Sequence, residues 1–95
     1  MTIFGQVTGT GPLTVQNVHA DNGGAVILTN SGNNYTGGTT VVDQLVLRGA
    51  NNGQSTVGTD TLTIGPGGTV TAESHNVLGH TSQANIPNVV INGGT

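Results

Sequence analysis

The hydrophobic positions of the chain form short units in which two apolar residues flank a central one. Five such units recur: Leu13–Val15, Val26–Leu28, Leu45–Leu47, Leu62–Ile64 and Val89–Ile91. The intervals between them are irregular but always short. Residues that are two apart in a strand place their side chains on the same face. The pattern therefore predicts short β-strands at these positions.

Pairs of glycines followed by a small or β-branched residue recur between the apolar units. They are Gly37-Gly38-Thr39, Gly67-Gly68-Thr69 and Gly93-Gly94-Thr95, with a weaker copy at Gly23-Gly24-Ala25. Glycine adopts positive φ without steric cost, which suits a turn. The first two pairs open the β-branched segments "TTVV" and "TVTA". We predict that each pair forms a turn that leads directly into a strand.

The same pattern predicts an all-β fold. The chain has 17 glycines, which leave only short stretches without Gly or Pro, such as Thr39–Arg48. An average helix is about 11–12 residues, so little room for one remains. Turn–strand units that repeat at about 20 residues are typical of a solenoid. A hairpin-based sandwich would contain similar strands, so the periodicity alone leaves both architectures open.

The chain is short and almost uncharged. Its 95 residues allow one small domain or a segment of a longer protein. Arg48 is the only basic side chain besides three histidines, which excludes nucleic acid and anionic membrane surfaces as electrostatic partners. No apolar run approaches the roughly 18–20 residues that cross a bilayer, and Met1–Phe4 lacks the features of a signal peptide. The absence of Cys excludes disulfides and thiolate metal sites.

Four carboxylates are the candidates for hydrolytic chemistry, which in glycosidases needs two facing carboxyl groups. They are Asp21, Asp43, Asp60 and Glu73. Asp43 and Asp60 are separated by about one repeat, so a repeat fold could bring them together on one face. Because surface carboxylates are the norm in proteins, we interpret all four as solvated turn residues.

The histidines and the glycine-rich turns offer no recognisable site. His19, His75 and His80 do not supply the three or four converging ligands that a metal needs, and we interpret them as exposed loop residues. The turn Gly65-Pro66-Gly67-Gly68 lacks the Lys and helix of a phosphate-binding loop. Asn34-Tyr35-Thr36 fits the glycosylation sequon, a match that we interpret as accidental.

Longer stretches resemble a known repeat. "NNYTGGTTVVDQLVLRGANNG", "TLTIGPGGTVTAESHNVLGH" and "NVVINGGT" are similar to the autotransporter-associated β-strand repeat, found in bacterial autotransporters and other large surface proteins. The resemblance extends from Val7 to Thr95 and is most specific around Tyr35. Two departures are Val42-Asp43-Gln44, where the family has small residues, and Pro66 in a glycine-rich turn.

The resemblance implies a right-handed parallel β-helix in which each coil lays three short strands onto the next. In such a fold of about four to five coils, inward Val, Ile and Leu would form an apolar column, and Thr and Asn could form ladders of like residues. Tyr35 would cover a turn, and Gly37 and Gly38 would let the chain bend into the next strand. Gly67, Gly68, Gly93 and Gly94 would occupy equivalent corners.

We therefore expect residues 1–95 to form a single β-solenoid segment of a longer repeat protein or of a self-assembling subunit. The expected role is structural and non-enzymatic: a stiff rod or head-to-tail fibre at the bacterial surface, with no catalytic, cofactor-binding or metal-binding residues. The expected partners are further copies, associated end to end, and surface glycans. Two alternatives stay open, a carbohydrate-binding adhesive module that uses Asn, Thr and Tyr35, and a fragment of a polysaccharide-degrading enzyme.

Overall fold

The described part of the chain is built from β-strands. The computed structural model describes residues 1–16, 25–49, 55–74, 76–78 and 88–95, and within these ranges no helix is present. The strands are β1 (Thr2–Ile3), β2 (Leu13–Val15), β3 (Val26–Leu28), β4 (Thr39–Val41), β5 (Gln44–Leu47), β6 (Leu62–Ile64), β7 (Thr69–Ala72) and β8 (Val89–Ile91). The all-β prediction is confirmed for these residues. They contain no helix of the length and hydropathy that crossing a lipid bilayer requires.

The strands form two parallel four-stranded sheets that the chain visits in turn. The first sheet has the order β1-β3-β5-β7 and the second the order β2-β4-β6-β8. Every strand pair therefore joins strands that are two apart in the sequence, and every pair is parallel. Hairpins would give antiparallel pairs of consecutive strands, so the hairpin-based sandwich is excluded for these strands.

The register stacks similar residues above one another although the steps along the chain are unequal. In the second sheet one row consists of Val15, Val41, Ile64 and Ile91. The step from Ile64 to Ile91 is longer than the step from Leu28 to Leu47 in the first sheet. Connections of different length between the strands account for the irregular spacing of the apolar units in the sequence.

The predicted strands coincide with observed ones. The five apolar units lie in β2, β3, β5, β6 and β8, and the segments after the first two glycine pairs contain β4 and β7. The sequence does not predict β1, because two residues carry no periodicity of their own. This strand exists through its pairing with β3, where the Ile27 N–H donates to the Met1 carbonyl at 2.8 Å.

The third strand of each coil that the resemblance implies is not present in the described residues, which form two sheets. Outside the two sheets, segments of neighbouring turns are nevertheless joined by backbone hydrogen bonds without forming a strand. The Asn34 N–H donates to the Val7 carbonyl at 3.0 Å, and the Thr59 N–H donates to the Tyr35 carbonyl at 3.2 Å. The glycine- and Asn-rich sequence there bends the chain too often for a regular ladder to form.

One apolar cluster lies between the two sheets. Its buried members are Val15, Val26, Leu28, Val41, Leu45, Leu47, Val57, Leu62, Ile64 and Val77. Alternation assigns the central residue of each strand in the second sheet to the outer face, where Thr14, Thr40 and Thr63 stand side by side as a ladder. The expected apolar interior and a ladder of like Thr residues are both found.

Candidate functional site

The most elaborate arrangement of polar side chains among the described residues is a buried corner next to β4. We call it the polar corner and define it as Asn33, Tyr35, Thr39, Thr56 and Gly58. Its four side chains are all nearly inaccessible to water. A corner of this kind has to satisfy its hydrogen bonds internally, because an unpaired buried polar group is costly. The exception is the Thr56 hydroxyl, which is buried and has no hydrogen-bond partner among the described residues.

Asn33 joins three separate stretches of chain. Its side-chain oxygen accepts from the Val7 N–H at 2.7 Å, and its side-chain nitrogen donates to the Thr56 carbonyl at 2.8 Å. One partner precedes Asn33 and the other follows it, each by about the step that separates paired strands of the second sheet. The amide of Asn33 therefore links three successive turns of the chain.

A hydroxyl chain continues from this point. The Tyr35 hydroxyl lies 2.5 Å from Thr39 Oγ1, and Thr39 Oγ1 donates to the Val57 carbonyl at 3.2 Å. A threonine hydroxyl has one hydrogen, so when it donates to Val57 it must accept from tyrosine. The direction of the chain is thus Tyr35 to Thr39 to Val57.

Burial changes the acid–base behaviour of Tyr35. Its pKa is raised above the ordinary 10.0, chiefly because burial disfavours the charged phenolate, and the hydrogen bond with Thr39 opposes this rise. The phenol is therefore held in its neutral, donating form. Since the side chain is only 2 % exposed, it offers no face on which a ligand could stack.

Gly58 completes the polar corner and is absent from the predicted corner residues. Its φ is +75°, and a Cβ on it would lie 2.6 Å from the Tyr35 carbonyl oxygen and 3.1 Å from the ring. Only glycine fits here, because another residue would be strained at this positive φ and its Cβ would collide with the Tyr35 carbonyl. The sequence signal, a single glycine within "STVGTD", is too weak to identify this position.

The first predicted glycine pair lies beside the polar corner, directly before β4. A Cβ on Gly37 would overlap the backbone of Gly11 and Pro12, which belong to the neighbouring turn of the chain. Gly38 has a φ of +87°, and its carbonyl accepts from the Leu13 N–H at 2.9 Å. The two glycines thus have different roles: close approach for Gly37, and positive φ for Gly38.

The other two predicted pairs lie directly before β7 and at the end of the described chain. Gly67 and Gly93 have φ values of +81° and +85°. A Cβ on Gly68 would overlap the Val41 carbonyl, and one on Gly94 would overlap the Ile64 side chain. In each of these pairs the first glycine bends the chain and the second packs against the preceding turn.

The register separates the two carboxylates that the sequence placed one repeat apart. Since Thr39 pairs with Leu62 and Val41 with Ile64, Asp60 lies before one end of these strands and Asp43 beyond the other. The possibility that they approach each other on one face, which their spacing in the sequence left open, is therefore wrong. Asp43 is buried, and its Oδ1 accepts from the Gln44 N–H at 3.0 Å. The interpretation of Asp43 as a solvated turn residue is therefore also wrong.

The remaining carboxylates stand apart from these two. Asp60 is exposed and accepts from the Thr61 N–H at 2.7 Å, which is a local turn contact. Glu73 accepts a hydrogen bond from the Arg48 guanidinium, and both side chains are well exposed. Asp21 lies outside the described residues.

The described residues contain no group of three or more His, Asp and Glu side chains that could hold a metal ion. All three histidines, His19, His75 and His80, lie outside those residues. In the described part the polar groups that converge are amides and hydroxyls, which bond to backbone of neighbouring turns. Such an arrangement holds backbone in place, and the polar corner contains no nucleophile–base pair.

No protein-family model, curated protein or solved structure matches the chain. The resemblance to the autotransporter-associated repeat consequently stays a prediction from the residues quoted above.

Proposed function

We propose that the chain is a structural, non-enzymatic segment of a right-handed parallel β-solenoid of about four coils. Each coil contributes one strand to each sheet: β1 with β2, β3 with β4, β5 with β6, and β7 with β8. Adjacent strands are about 4.8 Å apart, so four coils add about 19 Å to the length of a rod. The role is mechanical and spatial, to extend and to present loops.

The observation that carries this proposal is the alternation of the two sheets along the chain. All the strand pairs are parallel and join strands two apart, which is the order that successive coils produce. One apolar cluster runs through all four coils, with Ile3 at its first coil and Val70 at its last packed against it. Repeats of this kind contact only their neighbours and grow in one direction.

The polar corner supports a mechanical role. Asn33 ties three coils together through two hydrogen bonds to backbone, and Tyr35 and Thr39 add a further link to the next coil at Val57. Buried hydrogen bonds of this type resist the separation of neighbouring coils because breaking them leaves buried groups unpaired. For location we propose the outer surface of a bacterium, on the basis of the resemblance to autotransporter repeats.

Neither alternative gains support from a specific contact. The carbohydrate-binding alternative relied on Tyr35 at a surface, whereas this ring is buried. The enzyme alternative relied on Asp43 and Asp60 as a pair, and the register separates them.

Pulling a single chain from its two ends in optical tweezers tests the proposal. A solenoid should release its coils one after another, in steps of roughly 20–25 residues, one repeat at a time. At about 3.3–3.6 Å per extended residue, each step lengthens the chain by roughly 65–90 Å. A single all-or-none extension of the whole chain would contradict the proposed architecture.

Asn33 has a matched control in the same experiment. Asn33→Ala should lower the force at which the central coils separate, because two hydrogen bonds to other coils, one of them buried and one partly buried, are lost. Asn34→Ala should leave that force unchanged, since the Asn34 side chain is exposed and its backbone N–H makes the bond to Val7. Equal forces for the two variants would show that the polar corner does not resist pulling.

A further inference from the structure

The end of the fold formed by β7 and β8 is an open edge that exposes residues of the apolar column. Val89 and Ile91 continue the inward rows of Leu62 and Ile64. Ile64 is 4 % exposed, whereas Ile91 is 61 % exposed. The difference arises because β6 has a neighbour on both sides, while β8 is an edge strand of the sheet that the described residues form.

The open edge also carries backbone groups in a defined order. At each earlier step, the first residue of an even-numbered strand donates to the next coil: Leu13 to Gly38, Thr39 to Thr61, and Leu62 to Asn88. The third residue accepts from the next coil, as Ile64 does from Asn92. By the same alternation, the Val89 N–H and the Ile91 carbonyl point to the open edge.

The opposite end of the fold offers the complementary groups. In β2 the backbone groups of the first and third residues, Leu13 and Val15, are directed to β4. The N–H and carbonyl of Thr14 are therefore directed to the opposite side, where the Pro12 carbonyl and the Gln16 N–H also lie. Proline is compatible with this place because only its carbonyl is needed there.

We propose that the edge of β7 and β8 binds the β1 and β2 edge of a second copy of this chain, head to tail and in parallel register. The second copy's Leu13 then lies over Val89 and its Val15 over Ile91, so both rows of the apolar column continue. This inference rests on the proposed function and names its partner. A contact of this kind is heterologous and does not close, so repetition produces a filament.

The register of the first sheet matches this contact. Thr95 lies beside Thr69: its N–H donates to the Gly68 carbonyl at 3.0 Å, and its carbonyl accepts from the Val70 N–H at 2.9 Å. This is the bonding of a parallel pair, so the position two residues beyond Thr95 faces Thr71.

The same position is the one that β1 of the second copy requires. Thr71 pairs with Val46, Val46 with Ile27, and Ile27 with Thr2. In a stack, the second copy's Thr2 therefore faces Thr71 in register, and only the two chain ends, Thr95 and the second copy's Met1, have to move apart from bonding distance to van der Waals contact. A one-residue mismatch would have turned every inward side chain of the next coil outward.

Sedimentation velocity and electron microscopy of the 95-residue chain test the inference. We expect filaments whose length increases with protein concentration. Ile91→Lys should abolish them, because it buries a charge between copies, and Thr14→Pro should do the same from the other end by removing an edge N–H. Val90→Lys is the matched control: it places the same charge on the outward face of the same strand and should leave the filaments intact.

Mixing the two blocked variants gives the sharpest result. Each retains one working edge, so Ile91→Lys and Thr14→Pro together should form one-to-one dimers of twice 9.4 kDa and stop there. Monomers in the mixture, or a wild-type chain that stays monomeric and strand-rich by circular dichroism at all concentrations, would overturn the docking and leave the solenoid proposal standing. Filaments that survive both blocking variants would also overturn it.

Discussion

At the scale of single residues, the polar corner shows how a nearly uncharged chain holds its backbone in place. Asn33 and Thr39 each bond to backbone of another turn, and Tyr35 is buried behind them. Net contributions of about 0.5–1.5 kcal/mol per hydrogen bond are typical, and leaving one partner buried and unpaired costs about 1–3 kcal/mol. Amides and hydroxyls are thus sufficient to fix the corner without ion pairs.

Tyr35 gives the chain a pH dependence at the alkaline end. Its pKa is raised by burial, so the unfolded chain releases the phenol proton first, near pH 10.0. The contribution of this group to folding is fully present below that pH and is lost as the pH rises through the higher pKa of the folded state. Unfolding by denaturant at a series of pH values above 10 should therefore show a falling free energy.

Tyr35→Phe is the control for this prediction. The variant should be less stable than the wild type by about 1 kcal/mol at neutral pH, because Thr39 loses its donor. Its stability should change less than that of the wild type above pH 10, since the chain has no other Tyr and no Lys. The near-ultraviolet absorbance of phenolate reports Tyr35 alone, and ionisation at the ordinary pKa in the folded chain would contradict its burial.

At the scale of elements, the position of a strand in its sheet decides what its side chains contribute. The rows of the second sheet contain the same kinds of residue from strand to strand, yet the inner strands β4 and β6 are largely buried and the edge strand β8 is exposed. A strand of three residues forms few hydrogen bonds, so it depends on both neighbours and on the apolar column.

Ile64 and Ile91 provide a matched test, because they are the same residue type in the same row. Ile64→Ala should lower the free energy of unfolding by about 2–5 kcal/mol through loss of buried surface and creation of a cavity. Ile91→Ala should lower it by less than about 1 kcal/mol in a dilute, monomeric sample, because the side chain is mostly exposed. Chemical denaturation measures both, and equal losses would mean that β8 is covered in the free chain.

At the scale of the whole molecule, strands stay in register although the chain between them varies in length. The step from Leu28 to Leu47 is short and the step from Ile64 to Ile91 is long, yet both pairs keep the parallel ladder. Differences in chain length are thus confined to the connections between strands, and the strand register of both sheets is maintained from β1 to Thr95.

This register predicts the behaviour of a direct tandem fusion in which Thr95 is followed by Met1 of a second copy. Such a chain should unfold at a higher temperature than the single copy, because the internal edges are covered. Insertion of one glycine at the junction shifts the register of β1 by one residue and should remove the gain. Equal melting temperatures for the two fusions, measured by circular dichroism, would contradict the register match.

The local elements of this protein were determined by the sequence itself. Apolar units with a period of two marked five strands, and glycine pairs marked the turns before β4 and β7, because both signals act through neighbouring residues. The composition acted just as directly: the near-absence of basic residues argued against nucleic acid as an electrostatic partner, and the lack of cysteine excluded disulfides and thiolate metal sites. Tyr35 was singled out by the quoted motif, although its burial and its hydrogen bond to Thr39 were not evident from the sequence.

The tertiary structure decided what depends on distant residues. Parallel pairing of strands two apart, the existence of β1, the two sheets in place of three, and the separation of Asp43 from Asp60 all follow from a register set between segments far apart in the chain. Asn33 and Gly58 matter because of what lies beside them in a neighbouring turn of the chain, and a linear pattern does not contain that neighbour. Exposure of Ile91 and burial of Ile64 differ for the same reason: the residues are alike, and only the number of strands beside them differs.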